Sequence, residues 1–146
     1  MKHSKELLAE MLRRMLLTRA LEERLYEAFT RGEITGVVDQ STGQEAVPAG
    51  TSLALKKEDI TVACHRGLGE FVTRGVDLGR LVAELMGKET GLCKGRGGKL
   101  HVCSLDHGVL VTAAIVGTHI PIATGAAFSA QKRHTNQVII CFFGDG

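Results

Sequence analysis

The chain has 146 residues, a hydrophobic fraction of 44% and a charged fraction of 23%, a composition that is typical of a folded globular domain and excludes an intrinsically disordered chain. Its formal net charge is only +2, and no basic stripe is interleaved with aromatic side chains, so nothing favours a nucleic-acid partner. The first residues are charged throughout and no apolar run approaches the roughly 20 residues that span a bilayer, so we expect neither a secretory signal nor a membrane segment.

The first predicted element is a helix over residues 5–31, with Ser4 as its N-cap and Gly32 as its stop. Its polar face is expected to carry Arg13, Arg14, Glu22 and Glu23. The opposite stripe is expected to pack on a core or on a second subunit. This apolar stripe consists of Leu8, Met11, Leu12, Met15, Leu16, Leu21, Leu25 and Phe29.

A shorter helix is predicted from near Thr42, where Pro48 implies a kink or a late start. The segment DITVAC, residues 59–64, has the composition of a short buried strand, and no element is assigned to the segment HRGLGEFVTRG that leaves it. Asp77 is expected to cap a helix formed by DLGRLVAELMG.

Residues 89–109 are expected to be irregular, and residues 109–117 to form a second strand or an extended segment. A helix is predicted over residues 118–133, with Pro121 in its first turn, and a buried strand over residues 138–143. Helices therefore alternate with strands, which indicates an α/β fold with a largely parallel sheet. Because only two or three strands can be counted, we expect an incomplete architecture.

Three segments carry candidate chemistry. His65 and Arg66 follow the first strand at the edge where α/β sheets bind ligands, and an arginine there suits phosphate oxygens, although a surface ion pair is an alternative. The glycine-rich loop CKGRGGKLH, residues 93–101, is either a cationic loop that closes over an anion or a mobile surface loop. Asp145, in the terminal GDG, can supply one magnesium ligand or form a simple turn.

The sequence has four cysteines, and none of them belongs to a CxxC pair: Cys64, Cys93, Cys103 and Cys141. We interpret them as reduced thiols of a cytoplasmic protein. Cys93 and Cys103 lie close in sequence to His101 and His107, but this spacing does not match the common zinc pattern. A zinc site is therefore the disfavoured interpretation.

In order along the chain, these motifs resemble one family: TGQEAVPAG (42–50), HRG (65–67), CKGRGGKLH (93–101), IVGTHIPIATGAAFSA (115–130) and FFGDG (142–146). The chain resembles the N-terminal part of the alpha subunit of thiamine-diphosphate-dependent 2-oxo acid or acetoin dehydrogenases, the decarboxylating first component of the dehydrogenase complexes. The resemblance implies an incomplete three-layer, parallel-sheet thiamine-diphosphate-binding fold. Residues 1–146 would form a single partial domain with helix 5–31 as an N-terminal extension and the C-terminal half absent.

The resemblance also implies roles for individual residues. Arg66 matches an arginine that holds the diphosphate, and His65 takes the place of that arginine's usual tyrosine neighbour. The backbone around Ala114 and Val116 matches the segment that meets the aminopyrimidine ring. Gly144 belongs to the same GDG motif, in which Asp145 matches a Mg²⁺ ligand and Gly146 a phosphate-contacting glycine. Asp39 stands where the family often has a histidine, and a carboxylate there would repel an anionic 2-oxo acid unless it were protonated or paired.

The implied reaction is decarboxylation of a 2-oxo acid, or cleavage of acetoin, with transfer of the acyl group to a lipoyl acceptor. The implied partners are a beta subunit, a lipoyl-bearing acyltransferase component and further copies of the chain. Two alternatives stay open. One is a non-catalytic remnant that keeps subunit contacts without binding cofactor, and the other is a different nucleotide-binding α/β domain that uses CKGRGG as a phosphate loop.

Overall fold

The computed structural model describes residues 3–144, which form a three-stranded parallel sheet with helices around it. The strands are β1 (Ile60–Cys64), β2 (Val109–Ala113) and β3 (Ile139–Cys141), in the spatial order β2–β1–β3. The helices are α1 (Lys5–Thr30), α2 (Ala46–Ala54), α3 (Leu68–Thr73), α4 (Leu78–Leu85) and α5 (His119–Lys132), and a single 3-10 turn covers Leu105–His107. The predicted incomplete α/β fold with a long N-terminal helix is confirmed.

Helix α1 has the predicted ends but a different buried face. Ser4 Oγ accepts a hydrogen bond from Leu7 N at 3.1 Å, and Gly32 follows the helix with a φ of 75°. Core contacts come mainly from its second half, where Thr18, Leu21, Glu22 and Leu25 are buried. The prediction that Glu22 lies on an exposed polar face is therefore wrong. In the first half, three leucines of the predicted stripe are half or more exposed: Leu8, Leu12 and Leu16.

The core lies between α1, α3, α4 and the sheet. Its fully buried members include Leu68 and Phe71, which belong to α3, an element that the sequence analysis did not assign. Gly69 lowers the helix propensity of α3, but burial of all six residues of the helix outweighs that cost. Gly69 is required there, because a Cβ atom at this position would lie 2.6 Å from Pro48 Cγ on α2.

Two side chains fix the N-terminal ends of the strands. The guanidinium of Arg74 donates to four backbone carbonyl groups at 2.7–2.9 Å. These carbonyls belong to Lys56, Lys57, Asp59 and His107. The buried carboxylate of Asp59 accepts from Lys56 N and Val138 N, both at 2.8 Å, and so connects β1 to β3. With the strand entries aligned, their carboxyl ends meet at the opposite edge of the sheet.

Strand β3 corrects one expectation. The predicted buried strand over residues 138–143 is reduced to three half-buried residues, because β3 is at the edge of the sheet and pairs only with β1 within residues 3–144. Val138 and Phe143 are exposed. Asp145 and Gly146 lie outside the described residues. None of the helices found within residues 3–144 has the length and apolar character that crossing a bilayer requires.

Candidate functional site

A cavity of about 640 Å³ opens beyond the carboxyl ends of β1 and β3. Its walls come from the ends of both strands, from the segment after β2, from the start of α5, and from α2 with the loop before it. The cavity brings together four of the predicted site residues, namely His65, Arg66, Val116 and Gly144. Ala114 is half-buried directly after β2 and is not part of the wall, and Asp145 and Gly146 lie outside the described residues.

Arg66 and His65 leave polar groups free for a ligand. Arg66 is exposed at the cavity, and no carboxylate within residues 3–144 forms an ion pair with it, so the surface ion-pair alternative has no support there. His65 Nδ1 is buried and has no hydrogen-bond partner among the described residues. An unpaired guanidinium beside an unsatisfied ring nitrogen is suited to an anionic, hydrogen-bonding ligand.

His119 is a wall residue that the sequence analysis missed. Its side chain is 2% exposed, and neither ring nitrogen has a hydrogen-bond partner within residues 3–144. The ring stacks on Phe143 with 6.5 Å between centroids. His119 shares the buried face of α5 with Ala123 and Ala130, so the helical spacing of these residues in the sequence would have indicated its inward position.

Glu70, on α3, is the second wall residue that was missed. It is 5% exposed, and burial raises the pKa of its carboxyl to about 7, with a smaller contribution from the negative charge of Glu22. A buried acid with this pKa can give or take a proton near neutral pH. The sequence offered little signal for it, because a single glutamate in a glycine-containing segment has no distinctive spacing.

A buried charge pair lies close to Arg66. Lys99 Nζ is 3.9 Å from Glu22 Oε2, and both side chains are almost fully buried. Burial lowers the pKa of Lys99, as does the positive charge of Arg66, whereas the carboxylates of Glu22 and Asp39 act in the opposite direction. Asp39 therefore has a cationic neighbour, which reduces the repulsion expected between its carboxylate and an anionic ligand.

Glu22 also holds the cavity wall in front of α2. Ser41 N and Ser41 Oγ donate to its carboxylate at 3.3 and 2.8 Å, and Ser41 lines the cavity. Burial raises the pKa of Glu22, while Lys99 and Ser41 oppose the shift. The pair thus connects the loop before α2 to the cationic loop through one buried carboxylate.

The cationic loop already contains an anion, which the protein itself supplies. The carboxylate of Glu84, on α4, is fully buried and accepts hydrogen bonds from four backbone N–H groups. Cys93 N and Gly95 N donate to Oε2 at 2.7 and 2.8 Å, and Gly97 N and Gly98 N donate to Oε1 at 2.7 and 3.2 Å. These donors are not available to an external phosphate, which opposes the phosphate-loop alternative.

Of the loop's three cationic side chains, Lys94 and Arg96 are exposed and Lys99 is buried. For the neighbouring cysteines and histidines, no group of three or more His, Cys, Asp or Glu side chains within residues 3–144 is arranged to hold a metal ion. His107 Nδ1 instead contacts Ser104 Oγ at 2.9 Å.

Comparison with known proteins places this geometry in context. Residues 13–146 match the family model described as dehydrogenase E1 component. The chain is 41% identical to the alpha subunit of acetoin:2,6-dichlorophenolindophenol oxidoreductase from Bacillus subtilis, over 93% of this chain and 41% of that protein. It is 38% identical to the chloroplastic pyruvate dehydrogenase E1 component subunit alpha-3 of Arabidopsis thaliana, over 90% of this chain and 32% of that protein. It is 37% identical to the pyruvate dehydrogenase E1 component subunit alpha of Rickettsia typhi, over 90% of this chain and 40% of that protein. The chain therefore spans 32–41% of the length of these relatives.

Proposed function

The chain belongs to the dehydrogenase E1 component family, and from that premise we propose that its cavity binds thiamine diphosphate as part of an alpha-type subunit. One observation carries the proposal: His65, Arg66, Val116 and Gly144, which come from three separate segments, line one cavity at the carboxyl edge of the sheet. Residues 1–146 would act as a single partial thiamine-diphosphate-binding domain, with α1 as its N-terminal extension.

The unsatisfied groups of the cavity fit this cofactor. Arg66 would pair with the diphosphate, and His65 Nδ1 would form a hydrogen bond with it. The backbone of Ala114 and Val116 would face the aminopyrimidine ring. Gly144 precedes Asp145 and Gly146, which we propose as a Mg²⁺ ligand and a diphosphate contact. The cofactor, when bound, would supply a nucleophilic thiazolium carbon for reaction at a carbonyl group.

The chain's own residues would act on protons and on the orientation of the substrate. Glu70 has a pKa of about 7 because of its burial, so it can exchange a proton within the cavity at physiological pH. His119 offers an unpaired ring nitrogen beside Phe143, which suits a carbonyl or carboxylate oxygen. Apolar wall residues such as Val47 and Phe142 would exclude water from the bound groups.

The substrate is proposed from the relatives' names, and the acceptor and partners from membership of the family and from the exposed surface. We propose a pyruvate-like 2-oxo acid or acetoin as substrate, a lipoyl group as acyl acceptor, and a cytoplasmic location. A beta subunit, a lipoyl-bearing acyltransferase and further copies of this chain would be the partners. The exposed apolar residues Ile120, Ile122, Phe128 and Phe143 on α5 and after β3 support burial by additional protein.

Calorimetric titration with thiamine diphosphate and Mg²⁺, with and without a beta-type subunit, tests the proposal. We expect binding that Arg66→Gln weakens about 10- to 100-fold, since a charge-assisted hydrogen bond contributes about 1.5–3 kcal/mol. The exposed Arg133 provides the control, because Arg133→Gln makes the same chemical change away from the cavity. Failure to bind in every combination would refute the proposal, and pairing with the beta subunit without cofactor binding would identify the chain as a non-catalytic remnant.

A further inference from the structure

Two thiols lie against each other at the base of the cationic loop. Cys93 Sγ and Cys103 Sγ are 3.6 Å apart, and Cys103 N donates a hydrogen bond to Cys93 Sγ at 3.3 Å. All four cysteines are free and half-buried, and this is the one contact of hydrogen-bonding range between two thiols within residues 3–144. The distance is too long for a disulfide bond, which measures about 2.05 Å, so the pair is a juxtaposed dithiol.

Separate anchors hold the backbone on each side of this pair. Cys93 N donates to Glu84 Oε2 at 2.7 Å, which fixes the first thiol to α4. Next to Cys103, Val102 N donates to Thr112 Oγ1 at 3.0 Å and Thr112 N donates to Val102 O at 2.9 Å, which fixes the second thiol to β2. Because both segments are held by contacts that do not involve sulfur, the juxtaposition does not depend on the thiols themselves.

We propose that Cys93 and Cys103 are a thiol–disulfide exchange site, which a small-molecule disulfide converts into an intramolecular disulfide that closes the cationic loop. The two sulfurs need to approach by about 1.5 Å, a movement within reach of side-chain rotation. Half-burial leaves the thiols accessible to a small oxidant. The proposal concerns a site outside the cavity and does not depend on thiamine diphosphate binding.

The exchange proceeds in two balanced steps. Cys93 loses its proton, and its thiolate attacks one sulfur of the small disulfide, forms a mixed disulfide and releases one thiol. Cys103 then loses its proton and attacks Cys93 Sγ, and the second small thiol leaves. The protein loses two protons and two electrons, and the small disulfide takes up both to become two thiols. Burial is the largest cause of the raised pKa of Cys103 and persists when Cys93 forms the mixed disulfide, so the second step should accelerate as the pH rises.

Oxidation would restrain the segment between the two cysteines. The residues between the two cysteines include Lys94 and Arg96, whose side chains are exposed, and Lys99, whose Nζ lies 3.9 Å from Glu22 Oε2. A disulfide at the base of this loop removes conformations of the reduced chain in which the loop opens. We therefore expect slower amide exchange in residues 94–102 of the oxidised protein and a higher unfolding temperature.

The test is equilibration of the full chain in glutathione redox buffers, followed by acid quenching, alkylation and tryptic peptide mapping. Trypsin can cut after Lys94, Arg96 and Lys99, so a Cys93–Cys103 disulfide is detected as two linked peptides. We expect this linkage in the wild type and in the double variant Cys64→Ser/Cys141→Ser, which retains only the proposed pair. The equilibrium constant for its formation should be at least about tenfold higher in the folded chain than in urea, a difference of about 30 mV.

Two further variants control for the geometry. Cys93→Ser leaves Cys103 without its neighbour and should accumulate only the mixed disulfide with glutathione, and Cys103→Ser should do the same at Cys93. Circular dichroism verifies that each variant is folded. The proposal is overturned if the folded double variant forms the linkage no more readily than the urea-unfolded chain, or if the linked peptides of the wild type join other cysteines.

Discussion

The substitution Glu84→Gln tests how the cationic loop is organised. The carboxylate accepts two N–H groups on each oxygen, whereas a glutamine keeps one acceptor oxygen and presents an NH₂ donor at the other position. Two buried N–H groups therefore lose their acceptor in either orientation of the amide. At about 1–3 kcal/mol for each unsatisfied donor, the free energy of unfolding should fall by about 2–6 kcal/mol. For a chain of this length, the loss corresponds to a decrease in Tm of roughly 5–20 °C.

Urea unfolding monitored by circular dichroism measures the loss, and amide exchange localises it to residues 93–98. Glu89→Gln is the matched control. It makes the same chemical change five residues along the chain, at a side chain that is exposed. Burial alone would raise the pKa of Glu84, but the four N–H groups outweigh it and lower the pKa. The wild-type advantage should therefore be present above the unfolded-state pKa of about 4.5 and decline as the pH falls below it. Equal stability of the two variants, with unchanged exchange in the loop, would refute the reasoning.

Three further predictions address the sheet and the cavity. Arg74→Lys should lower the free energy of unfolding by about 2–4 kcal/mol, measured in urea, because an ammonium cannot reach four carbonyl groups at once. Glu70→Gln should remove a pH dependence: burial raises the pKa of Glu70 to about 7, so the wild type should lose up to about 3 kcal/mol relative to the variant as the pH rises from about 4.5 to 7. A difference in the free energy of unfolding that stays constant across that pH range would contradict the raised pKa. His119→Phe should leave the Tm unchanged or raise it, because two unsatisfied nitrogens are removed at similar volume, yet weaken ligand binding in calorimetry; unchanged affinity would exclude a ligand contact.

Elements with strong local signals could be predicted from the sequence. The caps Ser4 and Asp77, and the apolar run of β1, have local causes, and the structure shows them as expected. Helix α3 could not be predicted, because its stability comes from burial of Leu68 and Phe71 rather than from propensity. The exposure of the apolar residues in the first half of α1 could not be predicted either, since periodicity identifies an apolar face but not what covers it.

The candidate site divides in the same way. Arg66 and His65 were predicted because their place after a strand carries the information, and the structure puts both at the cavity. Glu70 and Lys99 acquire their properties from burial and from charges distant in sequence, so no local pattern reveals them. His119 could be predicted in part. Helical spacing indicates that it lies on the buried face of α5, but it does not indicate that both ring nitrogens lack hydrogen-bond partners.

Buried carboxylates, rather than β-structure, hold three of the loops of this fold. Glu84 binds the N–H groups of residues 93–98, Glu22 binds Ser41, and Glu45 accepts from Gly43 N while pairing with Arg19 at 2.5 Å. Glycine-rich segments have few side chains to bury, so satisfying their N–H groups is the main way to fix them. The pKa of Glu45 is lowered to about 2, chiefly by Arg19, and that of Glu84 is lowered as well, so both anchors stabilise the fold above about pH 4.5 and weaken as they protonate. Glu22 has a raised pKa and acts in the opposite direction, losing stability as the pH rises. Acid should therefore release the cationic loop and the Gly43 turn, whereas the contact with Ser41 is not weakened in the same way.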